Sequence, residues 1–331
     1  MAVNSEQRTV EIWGAPFDLC GRIHGARLGP GALRLKQIRR TIGELGFETV
    51  AMGDVVELED ELPGSYTEKM GLALEAYAAL SQAIEGSVNR GAIPVVLGGD
   101  HSLSMGSVSG ALRAAGSADT AVLWIDAHMD LNTPSSSSSG NFHGMPVAAL
   151  IRKETGSGSR DAEAPGFWNR ILDEIVPKPG LQIDHVGWLG LRDVDSGEIA
   201  HYSELGMETA WTMHDVDHLG IPAVLQEIDA WLRRIGAKKV WVSFDVDSLD
   251  PVLAPGTGTA VRGGLTYREG HLLAELLFEM LMSGNSPYEL LGLDLVEVNP
   301  MEDIGSNTTI AAVEWVGSLF GKRTMQGRTG R

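Results

Sequence analysis

Short apolar runs rich in β-branched and aromatic residues alternate with longer stretches whose apolar positions recur every three or four residues. The short runs predict strands over Thr9–Trp13, Glu48–Met52, Ile93–Leu97, Ala121–Ile125, Ile183–Leu189, Glu208–Thr212, Lys239–Phe244 and Tyr288–Val296. The longer stretches predict amphipathic helices over Pro30–Leu45, Thr67–Arg90, Ile221–Ile235 and Tyr267–Ser283. Pro30 suits a helix start and Gly46 a helix end. Strands alternating with helices in this way build an α/β fold of three layers, with an eight-stranded, mostly parallel, doubly wound sheet covered on both faces. No composition break and no repeat marks a second domain, so residues 1–331 read as a single domain. Two segments are loop-like: Lys153–Pro165, rich in Gly, Ser and charge, and Thr133–Asn141, with five consecutive serines. A serine run is usually a linker, but this one directly follows a cluster of charged residues, which fits a loop at a site.

Composition changes this picture in three ways. The 43% apolar content supports a substantial core, and the single cysteine, Cys20, excludes an intramolecular disulfide and suits a reducing compartment. The first residues carry no signal-type apolar stretch, and no run approaches the roughly 20 apolar residues of a membrane span. The expectation is a cytoplasmic protein. A net charge of −18 argues against nucleic acid and anionic membranes as partners. The exception is the tail, Gly321–Arg331, which carries four positive charges and no acid and reads as a frayed terminus.

The chemistry gathers at the ends of predicted strands. Asp126-Ala-His128-Met-Asp130 follows Ala121–Ile125, and Asp245-Val-Asp247 follows Val240–Phe244. In a strand alternate side chains point to the same face, so Asp126, His128 and Asp130 can converge, as can Asp245 and Asp247. Unpaired carboxylates held together there would repel, at ~4 kcal/mol for each close pair at intermediate dielectric, so a cation is expected. His101, after Val-Val-Leu-Gly-Gly-Asp, closes a third strand in the same manner. In doubly wound sheets the ligand crevice lies beyond the carboxyl ends of the strands. Four carboxylates and two imidazoles suit two divalent ions sharing bridging carboxylates. Such an oxygen-rich set favours manganese over sulfur-preferring zinc sites, with iron, cobalt or nickel also compatible. Two such ions activate a shared water, so the residues alone point to metal-assisted hydrolysis without naming a substrate.

The motifs Gly98-Gly-Asp-His-Ser102, Asp126-Ala-His-Met-Asp-Leu-Asn132, Ser139-Gly-Asn-Phe-His-Gly144 and Ser243-Phe-Asp-Val-Asp-Ser-Leu-Asp-Pro251 resemble the signatures of the ureohydrolases, over nearly the whole chain. Within that family the chain is similar to the arginases, binuclear manganese enzymes that hydrolyse L-arginine to L-ornithine and urea by a hydroxide bridging the two metals. The resemblance implies a single α/β/α domain and a homo-oligomer, commonly a trimer or hexamer. It implies two Mn2+ per chain: one held by His101, Asp126, Asp130 and Asp245, the other by Asp126, His128, Asp245 and Asp247. Asp130 would also orient the hydroxide, His143 would shuttle protons, and Glu297 would pair with the guanidinium. The amino-acid end of the substrate would meet Asn132, Ser137, Ser139 and Asn141 at its carboxylate and Asp195 at its amine. Asp193 and Glu198 are plausible supports, Glu198 equally a solvated surface charge. Thr259 is either a site residue or a turn threonine satisfying local backbone.

Two departures from the family pattern stand out. Met145 occupies a position where many arginases carry Gln, and serines replace the usual threonines of the loop. Serine keeps the hydroxyl but loses the methyl that stiffens χ1, which implies a looser loop. Alternatives within the class are a ureohydrolase for N-hydroxyarginine, guanidinobutyrate or agmatine. Outside it stand an arginase-like protein that binds without catalysis, separable by urea release, and a mononuclear zinc amidohydrolase, separable by a metal count.

Overall fold

Thr120–Ile125, a threonine followed by five apolar residues, lies completely buried in the middle of a sheet, as expected of a strand covered on both faces. The protein was analysed as a computed structural model, which describes residues 8–57, 63–284 and 286–323. Most of the basic tail therefore lies outside the described residues. Among those described, eight strands run β1 (Val10–Ala15), β2 (Thr49–Asp54), β3 (Ile93–Gly98), β4 (Thr120–Ile125), β5 (Val186–Leu191), β6 (Ala210–Thr212), β7 (Lys239–Asp245) and β8 (Glu289–Val296). All pairings are parallel, in the order β2-β1-β3-β8-β7-β4-β5-β6. Each predicted strand is present with its ends shifted. The largest shift is at Ile183–His185, a 3-10 turn that precedes β5.

Among the described residues eleven α-helices accompany them: α1 (Gly29–Leu35), α2 (Ile38–Gly43), α3 (Tyr66–Asn89), α4 (Ser104–Ala115), α5 (Pro146–Leu150), α6 (Ala164–Arg170), α7 (Ser196–Glu204), α8 (Met213–Leu219), α9 (Ile221–Ile235), α10 (Tyr267–Met282) and α11 (Asn307–Leu319). Alternation along each strand sends successive side chains into two different cores. Val95, Leu97, Ala121, Leu123 and Ile125 join the apolar faces of α1, α2 and α8 to α11. Val96, Val122, Trp124 and Trp241 join those of α3 to α6. The predicted helix Pro30–Leu45 is interrupted. Gln37 adopts a left-handed conformation at φ 64°, which ends α1 and redirects α2 while Leu33, Ile38 and Ile42 stay buried in one core.

Helix α4 is rich in Ser, Gly and Ala and is largely buried. Its small face lets it approach α3 closely: a Cβ at Gly106 would sit 2.6 Å from the Tyr77 carbonyl oxygen, and one at Gly110 2.2 Å from that of Ser81. Backbone cannot yield as a side chain can, so Gly110→Ala should force the helices apart and cost about 1–3 kcal/mol of unfolding free energy. Chemical denaturation reads this as a lower midpoint, and an unchanged midpoint would mean that the two helices part freely.

The order of strands places β3, β8, β7 and β4 side by side at the centre. Their carboxyl ends are level, with Leu97 beside Leu295, Asp245 beside Val296 and Phe244 beside Ile125. Four separate segments therefore leave the sheet over one spot. No helix among the described residues is long and apolar enough to cross a membrane.

Candidate metal centre and substrate cleft

The first ligand segment begins where β3 ends. A Cβ at Gly99 would lie 1.6 Å from the Phe17 carbonyl oxygen, so only glycine lets the chain pass there. The Asp100 N–H then donates to Phe17 O at 2.9 Å, and His101 follows, buried.

The paired acids do not converge by strand alternation, which corrects the sequence expectation. β4 stops at Ile125, and Asp126 Oδ1 accepts the His128 N–H at 2.7 Å. β7 stops at Asp245, whose Oδ1 accepts the Asp247 N–H at 2.8 Å. Each Asp-x-ligand unit is thus a tight turn closed by its own aspartate, the local bond that makes Asp a turn former. Asp130 is turned inward by a left-handed backbone, φ 53°, and Glu297 beyond β8 by another, φ 61°. Non-glycine residues seldom adopt this conformation, and where they do the surroundings impose it at a cost of order 1–3 kcal/mol. Here both fall on acids of the site.

The convergence is close. His101 Nδ1 lies 3.0 Å from Asp126 Oδ2, 3.1 Å from Asp130 Oδ2 and 3.2 Å from Asp245 Oδ2. His128 Nδ1 lies 3.2 Å from both Asp126 Oδ1 and Asp247 Oδ2. Asp126 therefore joins two ligand groups, His101/Asp126/Asp130 and Asp126/His128/Asp247, each with its ligand atoms within 4.8 Å of one another. Protonation is in conflict. Burial, then the charges of Asp247 and Asp126, push Asp245 far above the usual carboxylate range. Burial and the Asp126 charge push Asp130 up to about 6. Burial resists charge on His101, yet its three carboxylate neighbours raise it well above an ordinary imidazole.

A cation removes that conflict, and the hydrogen bonds behind the site prepare for one. His101 Nδ1 is buried without a well-formed hydrogen bond, while Nε2 sits 2.8 Å from Ser243 Oγ. The Asp294 carboxylate accepts from Ser104 Oγ and Ser107 Oγ, both at 2.9 Å, and from Trp241 Nε1 at 3.0 Å. Having given its hydrogen to Asp294, Ser104 can only accept from Ser243, 3.4 Å away. Ser243 then accepts from His101 Nε2–H. This polarity leaves a lone pair on Nδ1, aimed at the carboxylates, as a metal-ligating imidazole requires. Trp124 stacks on His101 at 4.0 Å between centroids and donates to Asp126 Oδ2 at 3.0 Å. Arg192 donates to the carbonyls of Asp247 and Val261, pinning the loop that carries Asp247. An orphaned imidazole nitrogen amid oxygen donors fits a hard or borderline divalent ion.

A cleft of about 180 Å³ opens over these ligands, lined also by Asn132, Ser137, Ser139, His143, Asp193, Asp195, Glu198 and Thr259. Asn141 and Glu297 do not line it. Glu297 is buried, and its Oε1 accepts the His101 N–H at 2.9 Å and lies 3.0 Å from His143 Nδ1. Burial disfavours charge on His143, but Glu297 outweighs it and pushes the imidazole up to about 9. Thr259 donates to Asp247 Oδ2 at 2.8 Å, so it orients a ligand rather than satisfying local backbone.

At the far end of the cleft, Asp195 is the N-cap of α7. Its Oδ1 accepts the N–H groups of Gly197 and Glu198, and its Oδ2 accepts from Asn132 Nδ2 at 2.8 Å. Glu198 is not a solvated surface charge. It is buried, its carboxylate accepts the N–H groups of Asp195 and Leu131, and burial followed by the Asp130 charge pushes it up to about 8. The serine run is an ordered loop, not a linker: Ser136 Oγ donates to Asn132 Oδ1 at 2.7 Å and accepts from the Thr133 N–H at 2.9 Å. The site reading missed Trp124, Ser243, Asp294 and Arg192, which read in the sequence as ordinary strand or strand-end residues.

Comparison with known proteins follows the same lines. The sequence model described as Arginase family matches residues 8–321. The arginase of Bacillus caldovelox is 36% identical over 323 residues, covering 96% of this chain and 100% of that protein. Arginase-1 of Rattus norvegicus is 36% identical over 331 residues, covering 97% and 95%. The solved structure of the Bacillus caldovelox arginase is similar with a TM-score of 0.82 at 35% identity, covering 96% of this chain and 100% of that one. With a family match over nearly its whole length, the chain belongs to the arginase family.

Proposed function

We propose that the protein hydrolyses the guanidinium group of L-arginine to L-ornithine and urea. The observation that carries this reading is the pair of ligand groups joined through Asp126 beneath a cleft whose other end offers hydroxyls and the Asp195 carboxylate. His101, Asp126, Asp130 and Asp245 would hold one manganese ion, and Asp126, His128, Asp245 and Asp247 a second. When bound, the two ions supply a water acidic enough to attack an amidine carbon near neutral pH.

The remaining work falls to the chain. Asp130 accepts a hydrogen from the attacking water and orients it. Glu297, buried behind the cleft, would pair with the guanidinium through Oε2, since its Oε1 holds the His101 N–H and faces His143. His143, whose Nδ1 is committed to Glu297, keeps Nε2 for the cleft, where it protonates the departing δ-amine. Ser137 Oγ accepts the Gly140 N–H at 3.0 Å, Ser139 Oγ accepts the Asn141 N–H at 3.2 Å, and the two hydroxyls lie 3.3 Å apart, so a hydrogen that one shares with the other can turn to an α-carboxylate. Asn132 holds Asp195 toward the α-ammonium, Asn141 acts through water, and Thr259 holds Asp247. The reading carries with it a cytoplasmic homo-oligomer, a trimer or hexamer, in keeping with a lone buried cysteine.

Manganese-loaded protein offered arginine, agmatine, homoarginine, N-hydroxyarginine and guanidinobutyrate should release urea fastest from arginine. Preference for another member of the panel would move the assignment within the ureohydrolases. Fully active protein should contain two divalent ions per chain by elemental analysis, manganese supporting the highest activity, and one zinc per chain would contradict the ligand assignment. His143→Asn should keep both metals while turnover falls on the order of 10²-fold, the usual weight of a general acid–base residue. Metal-free His143→Asn protein would make His143 a ligand instead.

A further inference from the structure

We propose that Arg160 is a positioning residue that sets specificity for the amino-acid end of the substrate, by strapping down the serine loop from outside. The proposal rests on the reading of residues 132–141 as the carboxylate-recognising loop.

That loop is braced unequally. Its inner end is tied by Ser136 to Asn132 and Thr133, and by the Asn132 N–H to Gly144 O at 3.2 Å. Its outer end, Ser138 to Gly140, is more exposed, and Gly140 takes φ 74°. Across it lies the segment 153–163, which contains no helix or strand. From that segment Arg160 Nη1 donates to Ser138 O at 3.2 Å and to Ser139 O at 2.9 Å. Its Cδ would lie 3.5 Å from a Cβ at Gly140, an ordinary van der Waals distance, so the arginine stem packs directly against the loop. A second tie runs from the Gly156 N–H to Ser135 Oγ at 2.9 Å.

The strap is itself moored at both ends. Trp168 Nε1 donates to Lys153 O at 3.0 Å, Lys153 Nζ pairs with Glu204 at 2.9 Å, and Thr67 Oγ1 donates to Glu163 at 2.5 Å. Serines leave this loop with more rotamer freedom than threonines would. Two carbonyls drawn outward onto one guanidinium turn the intervening peptide so that the Ser137 and Ser139 hydroxyls stay on the cleft side, ordered before substrate arrives. Ordering in advance lowers the cost of binding and leaves the chemistry untouched, because Asp130 and His143 sit at the other end of the cleft. A substrate without an α-carboxylate gains nothing from it.

The test compares the manganese-loaded parent with Arg160→Ala and Arg160→Lys. Arg160→Ala should raise the KM for L-arginine about tenfold, with kcat within about twofold and with metal content and agmatine kcat/KM unchanged. Arg160→Lys, which keeps a charged donor, should recover much of that loss. Independently of turnover, amide hydrogen exchange at 138–141 should be faster in Arg160→Ala than in the parent. Unchanged KM and exchange would overturn the proposal, and so would equal losses on arginine and agmatine, which mark general damage. A parent that released no urea from arginine would overturn the functional reading instead, and the exchange comparison would still decide whether Arg160 straps the loop.

Discussion

Asp130→Ala is expected to lower turnover on the order of 10⁴-fold, about 5.5 kcal/mol of transition-state stabilisation, and to reduce bound metal at the same time. Three functions end together. The carboxylate 3.1 Å from His101 Nδ1 is lost from one ligand group. The acceptor that orients the attacking water goes with it. The inward turn at φ 53° loses a side chain that tolerates this backbone region better than alanine does. Asp130→Asn separates these contributions, since it preserves size and backbone tolerance while removing the charge. It should fold as the parent does and still lose metal and most activity. An Asp130→Ala protein with a full metal complement and parental turnover would exclude Asp130 from the centre.

The second large effect is selectivity. L-Arginine should be preferred over agmatine, which lacks only the α-carboxylate, by at least roughly 10² in kcat/KM, about 2.7 kcal/mol. A site built to hydrogen-bond a group can reject an analogue lacking it by up to about 10⁴-fold, and bridging water recovers part of that. The expectation rests on hydroxyls that already accept backbone N–H groups and lie 3.3 Å apart, so that without a carboxylate they are left to each other and to water. Asn132→Ala should erode the preference from the arginine side. It removes the donor to Asp195 Oδ2 and the acceptor for Ser136 together, freeing both the amine-recognising acid and the inner end of the loop. Agmatine should lose less, since it keeps the ammonium that Asp195 meets but has no carboxylate for the loop to hold. Equal use of both substrates by the parent protein would contradict the carboxylate-reading role and leave the metal chemistry standing.

Strands and ligands were legible in the sequence because burial on both faces of a parallel sheet demands unbroken apolar runs, and β4 and β7 end at their ligands. Helix α4 was not legible. Packed between α3 and the sheet, it is buried nearly all round, and with Ser, Gly and Ala filling most positions no charged face sets off Met105, Val108 and Leu112. The interruption at Gln37 was hidden for the opposite reason, since apolar spacing continues across a residue whose left-handed turn has no sequence signal. Alternation brought these acids together, as the structure does, but by the wrong geometry: Asp126 and Asp245 close turns on the second residue along, and a two-residue spacing serves a turn as well as a strand. The support behind the ligands was invisible because Ser243, Asp294 and Trp124 are remote from one another in sequence, and only strand order brings their hydrogen bonds into line. Glu198 looked solvated because a capping glutamate at a helix start is ordinarily exposed, whereas here the Leu131 N–H draws it inward.

The claim that two ligand groups direct water onto the guanidinium carbon of arginine is tested most directly by turnover in ¹⁸O-labelled water, with the products analysed by mass spectrometry. The account predicts urea and ornithine in equal amounts, with the label in the urea oxygen and none in ornithine. Citrulline with ammonia, or unlabelled urea, or no turnover by protein carrying two divalent ions per chain, would contradict it.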